Sequence, residues 1–401
     1  MIIKMPDESF TNDAMMVWNS AKRSCFSTIK VLVILTGGCF LLLLKSTIEQ
    51  PDHVNRIIGT ISIFRRITHS ITSYKFNERK IRCPGCEPPC LATIINPCGN
   101  ITLTASTLSR KRLEIHCDEN YTWTEHSTVR SNVNPFTMNS DDQCLERFIQ
   151  ENCYDNRIVP NVIHYVWFNK HVMDVYSFLS VISTYKRIKP CLIIIHADVM
   201  PYGPYWVYLL TLVPNLIHIY KPAPISIFGK KLGYVQHKAD IARLEILKAH
   251  GGIYFDFDQI ALKNFDQFRQ YDFVMAHENI HNLGNAVIVS KKNAPFIDLW
   301  YNNYHTYNPT EWGIHSTFVP FRIAKKHKDL IHIEKEAFFK PDLGTILKLY
   351  TGNIDLSKNH AIHLYVRWIK KYYTLGQLQK MNTTLGELAR YVLYDSKNLC
   401  S

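Results

Sequence analysis

The chain has 401 residues, and its 46 lysines and arginines outnumber 34 aspartates and glutamates to give a net charge of +12. That length carries two or three compact units and a sizeable core. The basic residues are scattered, not gathered in runs; this argues against a nucleic-acid partner and leaves a solvated basic surface, compatible with an anionic substrate such as a nucleotide.

Residues 1–30 are polar and mixed in charge, and residues 31–44 (VLVILTGGCFLLLL) are free of charge between Lys30 and Lys45. As a helix this run spans roughly 21 Å, short for a bilayer. The uncharged residues 24–29 and snorkelling by the flanking lysines extend it. A cleaved signal peptide fits less well, because the polar segment before the run is long and Lys45-Ser-Thr-Ile offers no small-x-small cleavage site. A buried helix needs a surrounding domain. Residues 31–44 are therefore predicted to be a transmembrane signal anchor, with 1–30 as a cytosolic tail.

Lysine and arginine counts barely differ across the anchor, so they do not set its orientation. The cysteines do: nine of eleven follow the anchor, with Cys83, Cys86, Cys90, Cys98, Cys117, Cys144 and Cys153 crowded together. Asn100, Asn120 and Asn382 each head an N-glycosylation acceptor pattern. Together these point to an oxidising lumen. Cys83-Pro-Gly-Cys-Glu-Pro-Pro-Cys90 resembles half a zinc site, but no partner pair follows at finger spacing, and disulfides are the better expectation. Residues 45–154 are predicted to be a stem with a disulfide-rich subdomain.

From Ile158 the texture changes. Residues 159–168, 191–197 and 216–220 read as strands, the second apolar throughout, as when both sheet faces are covered. Residues 175–186 and 201–210 read as helices between them. Alternation of this kind predicts a parallel α/β sheet over 155–401, with ligands beyond the carboxyl ends of the strands. Residues 273–276 and 286–289 are predicted to be a strand pair around a loop at 277–285. A helix is expected at 296–304, a turn into a further helix at 312–320, a strand at 361–368 with His363 in its middle, and an amphipathic helix at 385–394.

Residues 237–258 hold the chemistry. They read as a helix, a Gly251-Gly252 stop, a short strand and Asp256-Phe257-Asp258. Spacing of two on a strand puts both carboxylates on one face, where two hard oxygen donors suit Mg²⁺ or Mn²⁺. On the helix, Asp240 and Arg243 are i,i+3 neighbours among apolar residues. A structural ion pair accounts for them equally well until the adjacent Asp-Phe-Asp is considered.

Val159-Pro-Asn-Val-Ile-His-Tyr-Val-Trp167, Asp240-Ile-Ala-Arg243 and Gly251-Gly-Ile-Tyr-Phe-Asp-Phe-Asp258 together resemble the DXD-containing glycosyltransferases of family 32, over roughly residues 158–368. The anchor and stem are similar to those of Golgi type II transferases. The resemblance implies a GT-A-like, Rossmann-type mixed sheet with flanking helices, a UDP- or GDP-sugar donor, Mn²⁺ or Mg²⁺, retention of anomeric configuration, and a glycan, glycolipid or glycoprotein acceptor in the Golgi lumen. It assigns Asp258 to direct metal binding and Asp256 to the metal through water or to the ribose. Asp240, Arg243, Tyr254 and Asn285 go to the donor, and Trp167 packs near the base unless it is a core aromatic. His363 is the candidate third metal ligand, although a lone histidine in an apolar strand is also a common core residue. Glu278 is the weak candidate for a catalytic group; no nucleophile can be named, and front-face displacement needs none. Two alternatives remain. One is a catalytically silent glycan-binding protein on the same fold. The other is a haloacid-dehalogenase-type phosphatase, against which Ile260 stands where that motif takes Thr or Val.

Overall fold

The computed structural model describes residues 143–169 and 172–399 and, before them, 30–36, 39–45, 94–95, 102–103, 113–118 and 121–124. The chain divides into two compact units, Met1–Gly85 and Cys86–Ser401. In the first, β1 (Lys30–Thr36) pairs antiparallel with β2 (Cys39–Lys45), Thr36 opposite Cys39. This differs from the helix predicted for 31–44. The central Gly37-Gly38 weakens a helix through this run. No helix among the described residues is long and apolar enough to cross a membrane.

The second unit begins with two small ladders, β3 (Ile94–Ile95) with β4 (Thr102–Leu103) and β5 (Glu114–Asp118) with β6 (Tyr121–Thr124). Asn100, Asn120 and the cysteines at 83–90 lie outside the described residues. Helix α1 (Gln143–Asn152) follows, then β7 (Val162–Trp167), α2 (Val175–Arg187), β8 (Leu192–Ala197), α3 (Pro204–Leu212) and β9 (Leu216–Tyr220). A disulfide joins Cys153, just after α1, to Cys191, just before β8. Next come the short pair β10 (Ser226–Ile227) and β11 (Lys230–Lys231), α4 (Val235–His250), β12 (Gly252–Phe255), β13 (Gln259–Ala261), β14 (Phe273–Asn279) and β15 (Asn282–Ser290). The chain continues through α5 (Pro295–Asn302), a π-helix at Ile314–Phe318, α6 (Val319–Lys326), β16 (His332–Glu334), α7 (Leu347–Thr351), β17 (Ala361–His363), α8 (Val366–Ile369), α9 (Leu375–Lys380) and α10 (Thr384–Tyr394).

Seven strands form one mixed sheet in the order β16-β14-β15-β12-β7-β8-β9. Strands β12, β7, β8 and β9 run parallel, and β15 turns the sheet antiparallel beside β12. Every residue of β7 and β8 is buried, as a strand covered on both faces requires. One face presents Ile163, Tyr165, Ile193, Ile195, Ile253 and Phe255 to α2, α3 and the C-terminal helices. The opposite face lays Val166, Tyr254 and Ile288 against α4 and α5 through Leu244, Leu247, Phe296 and Trp300. Near β8 and β9 that side is closed by Ile115, Leu145 and Ile149 over Ile194 and Ile217.

Three predicted boundaries move. The loop expected at 277–285 is nearly absent: β14 runs to Asn279 and β15 starts at Asn282, so Glu278 and Asn285 stand on strands. The strand expected at 361–368 stops at His363, and Tyr365 takes a left-handed conformation, φ 51°, before α8. Strand β12 ends at Phe255, so Asp256 and Asp258 lie in the turn to β13, not on a strand face. In the first case a ladder between β14 and β15 takes up residues expected in a loop, and in the other two the chain leaves its ladder early, information that residue spacing does not carry.

Candidate metal and donor site

Helix α4 delivers its charged pair to the edge of the sheet because Gly251 and Gly252 end it abruptly. Both have positive φ, 68° and 107°; a Cβ on Gly252 would lie 2.8 Å from the Val162 carbonyl oxygen and 2.9 Å from His164 Nε2. Only glycine lets β12 approach β7 this closely.

The turn after β12 is closed by the Gln259 amide donating to the Asp256 carbonyl at 3.0 Å. It gathers Asp256 and Asp258 by a tight reversal, which the same-face argument for a strand does not describe. Strand β17 pairs with β13, Gln259 opposite His363, and so brings the imidazole alongside. Asp256, Asp258 and His363 each offer a ligand atom, and these atoms all lie within 4.8 Å of one another. Asp258 is clamped twice, by His363 Nε2 at 3.1 Å and by the Val366 amide at 3.1 Å. The buried Nδ1 of His363 has no hydrogen-bond partner. Two carboxylates and one imidazole, partly open and with an unsatisfied ring nitrogen, fit a hard divalent cation of the Mn²⁺ or Mg²⁺ kind. Burial opposes charge on His363, but Asp258 outweighs it and raises the imidazole pKa above its ordinary value.

Behind the turn lies the helix pair. Asp240 and Arg243 are 6% and 4% exposed, and Arg243 Nη2 reaches Asp240 at 3.2 Å and Asp256 at 3.4 Å. Arg243 Nη1 donates to the Asn285 carbonyl at 2.6 Å, while Asn285 Nδ2 donates to Asp240 at 2.8 Å. Tyr254 packs its ring 4.4 Å under the guanidinium and donates its hydroxyl to Asp256 at 2.6 Å. Burial pushes the Asp240 carboxyl up to about 6 even with Arg243 beside it. Burial also holds the Tyr254 hydroxyl protonated, well above its usual range, so it remains a donor. Asp240, Arg243, Tyr254 and Asn285 thus form one network that orients Asp256.

Glu278 is half-buried, and accepts from Tyr365 at 3.1 Å and from Asn282 at 2.9 Å. The Tyr365 ring lies 3.9 Å from that of His363. Tyr365 and the Val366 amide went unrecognised in the sequence; read as mid-strand residues, they carried no signal of a turn there. Trp167 is 1% exposed with its ring edge-on to Phe257, the middle residue of the Asp-Phe-Asp turn, at 4.9 Å. It supports that turn from the core.

Beyond the carboxyl end of the central strand β12, two carboxylates and an imidazole, backed by a buried Asp-Arg pair, form a group that could hold a divalent metal ion. Residues 149–275 match the family described as a glycosyltransferase sugar-binding region containing a DXD motif. "Glucan organizing enzyme 1" of Cryptococcus neoformans var. grubii serotype A is 33% identical over 56% of this chain and 66% of its own length. An "Uncharacterized glycosyltransferase L373" of Acanthamoeba polyphaga mimivirus is 36% identical over 21% of this chain and 35% of its own. The chain therefore spans slightly under two thirds of the first relative and about a third of the second. Residues 149–275 therefore carry a DXD-containing glycosyltransferase domain. Among solved structures, the PaToxG glycosyltransferase shares 17% identity at a TM-score of 0.33, over 60% of this chain and 86% of that one. The apo-form glycosyltransferase GlyE of Streptococcus pneumoniae TIGR4 shares 8% at the same score, over 51% and 54%. Overlaps of that size add nothing to the assignment.

Proposed function

We propose that the chain is a metal-dependent glycosyltransferase of GT-A type that moves a sugar from a UDP- or GDP-sugar to a glycan acceptor. The observation that carries this is the convergence of Asp256, Asp258 and His363 within 4.8 Å, on a turn oriented by a buried arginine. A cation held there neutralises charge on the departing nucleoside diphosphate. The protein's own part is preorganisation. Tyr254 and Arg243 set Asp256, and His363 and the Val366 amide set Asp258, before any donor arrives. Arg243, buried and permanently charged, also supplies positive potential toward the diphosphate. In this reading Glu278, which accepts from Tyr365 and Asn282, is the group that orients an acceptor hydroxyl. No nucleophile beyond these is invoked, in keeping with front-face displacement and retention.

The relative named for organising glucan makes gluco-oligosaccharides the first acceptors to try. A Golgi lumen is the compartment in this reading, supported by the Cys153–Cys191 disulfide and by exposed Asn382 in its acceptor pattern. Attachment to the membrane through residues 31–44 belongs to the same reading and requires them to become helical in lipid, since an isolated hairpin leaves its edges unpaired there.

Two experiments test the proposal. Thermal shift of the full chain with UDP- and GDP-sugars, with and without Mn²⁺, should single out one donor class by metal-dependent stabilisation. With that donor, Asp258→Asn should lower Mn²⁺-dependent hydrolysis by about 100-fold or more. Undiminished turnover in this variant would remove the metal assignment.

A further inference from the structure

Beside the carboxylate turn, three elements bring aromatic side chains together at the surface. Trp312 precedes the π-helix, and is 41% exposed; Trp368 on α8 is 51% exposed; their rings meet edge-on at 6.4 Å. The Arg367 guanidinium lies 4.3 Å over the Trp312 ring and 5.5 Å from that of Trp368. Tyr234 and His237 at the start of α4 flank Trp312 at 5.7 and 5.2 Å. Two half-exposed indoles in contact, braced by neighbours, make a contiguous aromatic patch of the kind that marks an interaction site. Arg367 is exposed and its guanidinium lies on indole faces, which leaves its in-plane N–H donors available.

The cluster adjoins the site through the chain itself. Val366, whose amide holds Asp258, is followed directly by Arg367 and Trp368. On α4, His237 precedes Asp240 by one turn. A π-helix beginning two residues after Trp312 is a feature concentrated at functional sites. The buried Asp240–Arg243–Asp256 network and the carboxylate turn account for a donor's phosphates. The rim cluster, open to solvent, is suited to a chain-like ligand arriving from solution.

We propose that Trp312, Arg367 and Trp368 form the acceptor subsite. A neutral pyranose of the acceptor glycan stacks its C–H face on indole, and Arg367 donates to its hydroxyls. This rests on the transferase reading above and adds the place and chemistry of the second substrate. Aromatic faces flanked by an arginine are the surface composition that concentrates binding energy.

The test is fluorescence titration of the full chain with methyl gluco-, galacto- and mannopyranosides, maltohexaose and laminarihexaose. Metal-dependent thermal shift by the responsive nucleotide sugar is measured on the same preparations. At least one sugar probe should perturb tryptophan emission. Trp312→Ala, Trp368→Ala and Arg367→Ala should each weaken that binding by about tenfold, and Trp312→Phe should recover part of it. Absence of a response to every probe overturns the subsite. So does a loss in these variants that falls on the nucleotide-sugar shift and spares the sugar titration, because the indoles then serve the donor base. If Asp258→Asn keeps full metal-dependent donor binding while the sugar titration behaves as expected, the transferase reading fails and the glycan platform stands.

Discussion

Arg243 is the residue on which the site's geometry hangs. It reaches Asp240, Asp256 and the Asn285 carbonyl from a position 4% exposed to solvent. Arg243→Ala removes the partner of a buried carboxylate and should cost about 3 kcal/mol of stability, read as a fall in urea midpoint. Arg243→Lys keeps the charge but not the fork, so stability should recover in part while donor affinity stays depressed by about tenfold or more. Recovery of both would mean that charge alone matters. Tyr365 acts at the same scale: Tyr365→Phe removes only the hydroxyl that holds Glu278. If Glu278 orients the acceptor, this change should lower transfer more than donor hydrolysis.

Among the elements, the junction of α4 and β12 is the most constrained. Gly252→Ala forces a side chain into a backbone with φ 107° and onto the Val162 carbonyl and His164. A loss of about 3 kcal/mol is expected from strain and contact together, measurable by denaturation. The Cys153–Cys191 bridge closes a separation of 38 residues and ties the end of α1 to the start of β8. Cys191→Ser should lower stability by about 2–4 kcal/mol, with the loss reproduced by reductant on the parent chain.

At the scale of the molecule, buried histidines set the response to acid. His164 Nδ1 and His196 Nε2 meet at 3.0 Å across β7 and β8, wholly enclosed. Burial holds His164 down to about 3 and His196 well below its ordinary value. Below about pH 6.5 the unfolded chain takes up protons that the folded chain refuses. Stability should then fall by about 1.4 kcal/mol per pH unit for each histidine, down to the folded pKa. Asp240 works in the opposite sense. Its folded pKa is raised from 3.8 to about 6, so its contribution is present in acid and lost as the pH rises through about 6. Two histidines outweigh one carboxylate, and urea midpoints should report a stability about 2 kcal/mol lower near pH 5.5 than near pH 7.5. A flat profile would show that the pair is already hydrated or protonated.

Periodicity alone was enough to find the parallel strands, α2 and α10, and glycine placement enough to find the end of α4. These depend on local physics: which residues are apolar, and where a backbone must turn. The compound motif likewise marked Asp240, Arg243, Asp256 and Asp258 as one chemical unit. What residue spacing did not contain was how that unit is assembled. The carboxylates meet in a turn, His363 ends its strand, and Glu278 and Asn285 stand on strands because β13 pairs with β17 and β14 with β15, contacts between segments far apart in the chain. Residues 30–36 and 39–45, apolar enough to predict a helix, pair as strands instead, because pairing between β1 and β2 competes with local propensity. Composition thus determined that the chain has these carboxylates, this arginine and this histidine. Only long-range pairing decided that His363 joins them, that Arg243 aims Asp256, and that two tryptophans stand at the rim.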